Sequence, residues 1–193
     1  MTDRHRPVAA DVLADDWGTL TRYTFDYRRA DGRWDRQRRE VYDRGHAAAC
    51  LLHDPAADTL LLVRQFRLPM LVSGQEPFLV EVPAGLLDGA EPAERMRAEL
   101  REETGFEPRS LRHVADLVMS PGSVTERIAC YLGAYDRDAP VGAGGGEAGE
   151  GEDIEVLHLP ADEAAEMLRT GAIVDAKTAF LLQRFELDRL GGG

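Results

Sequence analysis

The sequence predicts an α/β fold, a sandwich on a mixed β-sheet, preceded by a β-rich extension over residues 1–44. Three observations carry this. Residues 19–29 and 34–42 alternate in polarity around Asp31-Gly32, the pattern of a β-hairpin. Residues 46–52 and 59–66 are apolar with little alternation, as strands covered on both faces should be. Two later stretches, 91–104 and 175–189, read as helices.

In chain order, His53-Asp54-Pro55 supplies the turn between the two apolar strands, and Pro and Gly make 68–77 a loop. Residues 78–82 form a short strand that Pro83 breaks. Pro92 suits the first turn of the helix at 91–104, and Gly105 stops it. Strands at 111–119 and 127–135 follow. The run 140–151, PVGAGGGEAGEG, is too glycine-rich to hold a fixed element unaided. A strand at 154–159, a helix at 160–169 and the helix at 175–189 complete the order. No internal repeat is seen.

Composition narrows the function. The 193 residues suffice for one domain with a modest extension, and 44% hydrophobic with 30% charged residues is ordinary for a globular chain. A net charge of -12 argues against nucleic acid as a partner, because such binding rests on basic phosphate contacts. A phosphate-seeking chain of this sign needs an arginine or lysine cluster, or a divalent cation, to reverse the local field. Cys50 and Cys130 lie in apolar runs and read as unpaired core thiols. The first 18 residues hold no apolar signal core, and no run approaches the roughly 18 apolar residues of a membrane span. The expectation is a cytoplasmic enzyme without a membrane partner.

The informative window is Gly85 to Phe106, GLLDGAEPAERMRAELREETGF. Glu99, Glu102 and Glu103 follow i, i+3, i+4 spacing, which puts three carboxylates on one helix face. Exposed, they cost a few tenths of a kcal/mol per pair, at roughly 0.2–0.5 each. Buried, they need a cation, and hard oxygen donors of this kind suit Mg²⁺. The plain alternative is a solvated face paired with Arg95, Arg97 and Arg101.

Gly85, Glu91, Glu99, Leu100, Glu102, Glu103, Gly105 and Phe106 together resemble the Nudix box, G-x5-E-x7-R-E-U-x-E-E-x-G-U with U apolar. The resemblance implies a Nudix α/β/α sandwich over residues 45–193, with the box at 85–106. Two departures stand out. The spacing from Glu91 to Glu99 is one residue short, and Ala98 occupies the position where the family has an arginine that braces the acidic helix. Arg95, Arg97 or Arg101 would have to replace it.

Beyond the box, Ser120-Pro121-Gly122 resembles the nucleoside-diphosphate-sugar branch that includes ADP-ribose pyrophosphatases. REVYDRG at 39–45, VRQFR at 63–67, MSPGSVTE at 119–126 and the glycine-rich run with its flanks at 143–160 are similar to the bacterial GDP-mannose pyrophosphatase subfamily. The short box is also a feature of that subfamily. By this resemblance the Ala84 carbonyl, Glu99, Glu103 and Glu152 would hold Mg²⁺, with Mn²⁺ as the other ion. Glu102 would act within the cluster, and Glu150, on a flexible loop, would be the general base that swings in when substrate is bound. Arg39, Glu40, Arg67, Gly85, Leu86, Glu126, Lys177 and Ala84 would contact a nucleotide sugar. Trp17 would stack on or brace the base, or pack at a subunit interface. A solvated loop residue is the plain alternative for Glu150, and a surface ion pair for each arginine.

The implied activity is hydrolysis of GDP-mannose to GMP and mannose 1-phosphate. ADP-ribose cleavage to AMP and ribose 5-phosphate is the nearest alternative, and a dinucleoside polyphosphate a more distant one. A non-catalytic nucleotide-sensing module stands against these, and retention of every box glutamate argues against it. The N-terminal β extension over residues 1–44 buries little by itself and is expected to pair with a second copy in a homodimer.

Overall fold

The computed structural model describes residues 4–146, 149 and 151–191. The chain divides into two units, residues 1–46 with 118–127, and residues 47–117 with 128–193.

In the first unit, β1 (His5–Asp15), β2 (Thr19–Arg28) and β3 (Trp34–Asp43) form an antiparallel sheet in that order. The hairpin expected around Asp31-Gly32 is present, with Gly32 at φ +87. β1 was not expected. Its register slips between Pro7 and Ala9 and again between Val12 and Ala14, and each slip breaks the alternation by which a strand is recognised. Every residue of β1 is exposed. The segment 118–127 docks on the end of β3: Tyr42 donates its N–H to Ser123 O at 2.8 Å, and Thr125 returns one to Tyr42 O at 3.1 Å.

The second unit is an α/β sandwich on a mixed sheet. β10 (Glu155–Pro160), β5 (Thr59–Phe66), β4 (Ala47–Asp54), β9 (Arg127–Ala134) and β8 (Ser110–Val118) lie side by side. β6 (Phe78–Glu81) pairs with β5, and β7 (Ala84–Leu86) pairs with β4. β4 and β9 run parallel, whereas β4–β5 and β5–β10 are antiparallel. Alternate residues of β4 serve opposite faces. Ala48, Cys50 and Leu52 join Met96, Leu100 and Phe106 in one core, under α2 (Pro92–Glu99). His53 points the other way and meets the ring of Phe185 on α4 (Ala176–Gly191) at 4.8 Å. Burial on both faces explains the missing alternation in β4 and β5. α3 (Ala161–Thr170) packs beside α4.

Two local expectations are corrected and a third is extended. The loop at 68–77 begins with a short helix, α1 (Leu68–Val72), admitted by Pro69 in its first turn. Pro83 breaks the strand as expected, β6 ending at Glu81, and after it the chain crosses to β4 as β7, with Cys50 N–H on Pro83 O at 3.1 Å. The helix at 91–104 is not uniform, because α2 passes at Leu100 into a π-helical turn, Leu100–Thr104, closed by Gly105 at φ +76.

Candidate active site

The π-turn changes what the i, i+3, i+4 spacing delivers. Glu99 and Glu103 are buried at 5% and 1% exposure, while Glu102 stays at the rim. Glu103 accepts a hydrogen bond from the Ala84 N–H at 3.2 Å, which ties the helix to β7. Burial first, then the neighbouring carboxylates Glu99 and Glu152, push Glu103 up to about 8. Glu99, Glu103 and Glu152 thus form one electrostatic cluster in the second unit. Gly85 lies against it so closely that a Cβ there would fall inside the Glu99 carboxylate.

Of the three arginines available to brace the acidic helix, Arg95 does so. Its guanidinium meets Glu99 at 2.5 Å and Glu102 at 3.6 Å, and its Nε donates to Leu86 O at 3.1 Å. Arg97 instead donates to Pro108 O and Arg101 to Glu107.

The first part of the glycine-rich run is held in place. Gly145 and Gly146 donate their N–H groups to the carbonyls of Glu103 and Glu102 at 2.8 and 3.1 Å, and Val141 and Gly142 both donate to Gly105 O. These bonds use carbonyls that a helix end leaves unpaired. The approach needs glycine on both sides, since a Cβ on Gly144 would stand 2.6 Å from the Thr104 carbonyl carbon. Glu152 folds back over Gly146. Glu150 lies outside the described residues.

Arg67 pairs with Glu81 through Nε and Nη2, both at 2.9 Å, and Lys177 reaches the same carboxylate at 2.6 Å. Glu81 was not expected, although a lone acid inside the apolar strand FLVEV was a readable signal. Burial alone would raise its pKa, but the bonds and charges of Arg67 and Lys177 hold it at about 2.

Trp17, Arg39, Glu40 and Glu126 belong to the first unit. Trp17 is 83% exposed. Arg22, Arg38, Arg39 and Glu40 line a shallow hollow of about 220 Å³. Glu126 pairs with Arg44 at 3.3 Å. In the second unit an apolar groove of about 600 Å³ between α3 and α4, lined by residues such as Leu168 and Leu187, contains none of the expected site residues.

Among the described residues no three His, Cys, Asp or Glu side chains converge at ligand distance. The donor chemistry nevertheless fits a hard divalent ion: the carboxylates of Glu99 and Glu152 both act on Glu103, and Gly85 keeps the space beside Glu99 clear. No helix among the described residues is long and apolar enough to cross a membrane.

Comparison with known proteins places the chain in a family. The NUDIX domain family matches residues 43–182, and the GDP-mannose pyrophosphatase NudK N-terminal domain matches residues 4–42. Proteins named GDP-mannose pyrophosphatase from Escherichia coli O1:K1 and from Shigella dysenteriae serotype 1 are each 44% identical over 191 residues, covering 98% of this chain and 99% of theirs. A crystal structure of ADP compounds hydrolase shares the fold at a TM-score of 0.77 and 20% identity, covering 100% of this chain and 98% of that one. The box, the sheet that carries it and these relatives together make the chain a member of the NUDIX family.

Proposed function

We propose that this protein hydrolyses the pyrophosphate bond of a nucleoside-diphosphate sugar, with GDP-mannose as substrate and GMP and mannose 1-phosphate as products. The observation that carries the reading is the pair of buried carboxylates Glu99 and Glu103 beside Gly85, with the half-buried Glu152 close enough to act on Glu103. The 44% identity to GDP-mannose pyrophosphatases over nearly the whole chain supports the choice of substrate.

The Ala84 carbonyl, Glu99, Glu103 and Glu152 would hold the divalent ion, Mg²⁺ or alternatively Mn²⁺. When bound, such an ion neutralises phosphate charge and lowers the pKa of water. Arg95 keeps Glu99 aimed, and Glu102 shares that guanidinium at the rim. Hydrolysis adds one water across the P–O–P bridge and releases a proton, which Glu150 accepts as general base. Arg67 and Lys177 contact the diphosphate, and the Gly85 and Leu86 backbone lies along it. Trp17, Arg39, Glu40 and Glu126 serve the nucleotide or sugar. Residues 1–44 pair with a second copy in a cytoplasmic homodimer, a role supported by the wholly exposed β1. A monomer by light scattering would remove the dimer.

ADP-ribose is the second reading, favoured by Ser120-Pro121-Gly122. A panel of GDP-mannose, GDP-glucose, ADP-ribose and ADP-glucose with Mg²⁺, read by phosphatase-coupled phosphate release, separates the two. GDP-mannose should be cleaved fastest; no cleavage of any member sinks the activity.

A further inference from the structure

Both cations assigned to the diphosphate close on one buried anion. Glu81 ends β6, opposite Val63 of β5, and its side chain is 2% exposed. It takes two hydrogen bonds from Arg67 and one from Lys177. Asp175 lies 3.0 Å from the same ammonium, so two carboxylates balance two cations. Thr178 completes the joint: its hydroxyl donates to Asp175 at 2.6 Å and accepts the Val82 N–H at 2.9 Å, pinning the start of α4 to the end of β6.

A buried acid needs such partners merely to exist. A structural anchor, however, does not require a partner that also faces solvent. Arg67 is 38% exposed on its side chain, and its pairing occupies Nε and Nη2, leaving Nη1 outside the bond to Glu81. A guanidinium locked along one edge presents its other donors in a fixed plane, the geometry that suits phosphate oxygens. Preorganisation of this kind raises affinity by lowering the cost of ordering the side chain. Arg67 also lies within the electrostatic reach of Glu103, so the clamp adjoins the acidic cluster.

We propose that Glu81 is a positioning residue for phosphate recognition, fixing Arg67 and Lys177 as a pair directed at a diphosphate. The inference rests on the reading of those two cations as substrate contacts.

The test compares wild type, Glu81→Gln and Glu81→Asp in the full chain. Gln removes the charge; Asp keeps it but withdraws it by one methylene. Folded Glu81→Gln should raise KM for GDP-mannose roughly tenfold or more, the worth of a charged hydrogen bond, with kcat within about threefold. Its Mg²⁺ activation midpoint should not move. Calorimetric affinity for methylenediphosphonate should fall by a similar factor, with Asp intermediate. Folded variants that bind this probe as wild type does, and lose only thermal stability, would overturn the proposal. If the Gln protein does not fold, the Asp protein decides by the same criterion. Should wild type cleave no nucleotide sugar, the activity reading fails, while the methylenediphosphonate comparison still decides the role of Glu81. No binding of the probe by wild type overturns the proposal for Glu81, while the activity reading stands or falls by cleavage alone.

Discussion

Arg95 and Glu99 stand one helical turn apart and meet at 2.5 Å, the carboxylate buried and the guanidinium reaching on to Leu86 O at 3.1 Å. One side chain thereby links the acidic helix to the strand that carries Ala84 and Gly85. The family places its bracing arginine next to the first glutamate of the cluster, where this chain has Ala98. Here the brace comes from the preceding turn.

Arg95→Met should therefore loosen Glu99. Removing a partner that orients a metal ligand typically costs about 10–100-fold in metal affinity. The Mg²⁺ concentration giving half-maximal turnover should rise by that factor, and Arg97→Met, whose guanidinium serves Pro108 O, should leave it in place.

Glu103→Gln tests the cluster. Burial and two like-charged neighbours already favour the protonated form, so a neutral isostere relieves repulsion and the metal-free melting temperature should hold or rise. Mg²⁺ should raise the melting temperature of wild type, by about 2.7 kcal/mol of stability at a hundredfold excess over Kd, and not that of the variant. Turnover should fall by orders of magnitude.

Gly85→Ala places a methyl group in the space of the Glu99 carboxylate. A misplacement of about 1 Å at a reacting centre costs roughly 10²-fold, and turnover should fall at least that far. Gly191→Ala, with nothing within 4 Å of the new atom, should change neither turnover nor melting temperature.

Glu81 should contribute to acid stability. Its pKa is depressed from 4.5 to about 2 in the folded chain, so its contribution is complete above about 4.5 and disappears as pH falls through about 2. The span is worth roughly 3 kcal/mol at 1.36 kcal/mol per pH unit. Melting temperature followed from pH 6 to about pH 2 should drop more steeply in wild type than in Glu81→Gln.

Met96→Ala empties a fully buried site between α2 and the sheet. Denaturant unfolding should report a loss of about 2–5 kcal/mol.

The acidic window was legible because its chemistry fixes residue types at fixed spacing, and the buried strands because burial on both faces suppresses alternation. β1 was hidden by two register slips, and β7 by a proline that breaks the strand and redirects the chain. The π-turn has no compositional mark: it alters the rotation per residue, and with it which of Glu99, Glu102 and Glu103 is buried. Glu81 was missed for a different reason. Its partners lie 14 and 96 residues away, and only the fold brings them together.

Gly145 and Ile154 are joined by a backbone bond at 3.2 Å, so the stretch between them leaves and returns at one point on the scaffold. Its length is then nearly independent of everything beneath it, since doubling such a loop costs only about 0.6 kcal/mol. Insertions or deletions there leave the sheet, Glu99 and Glu103 as they are. The segment has a cheap way to change length without refolding the protein.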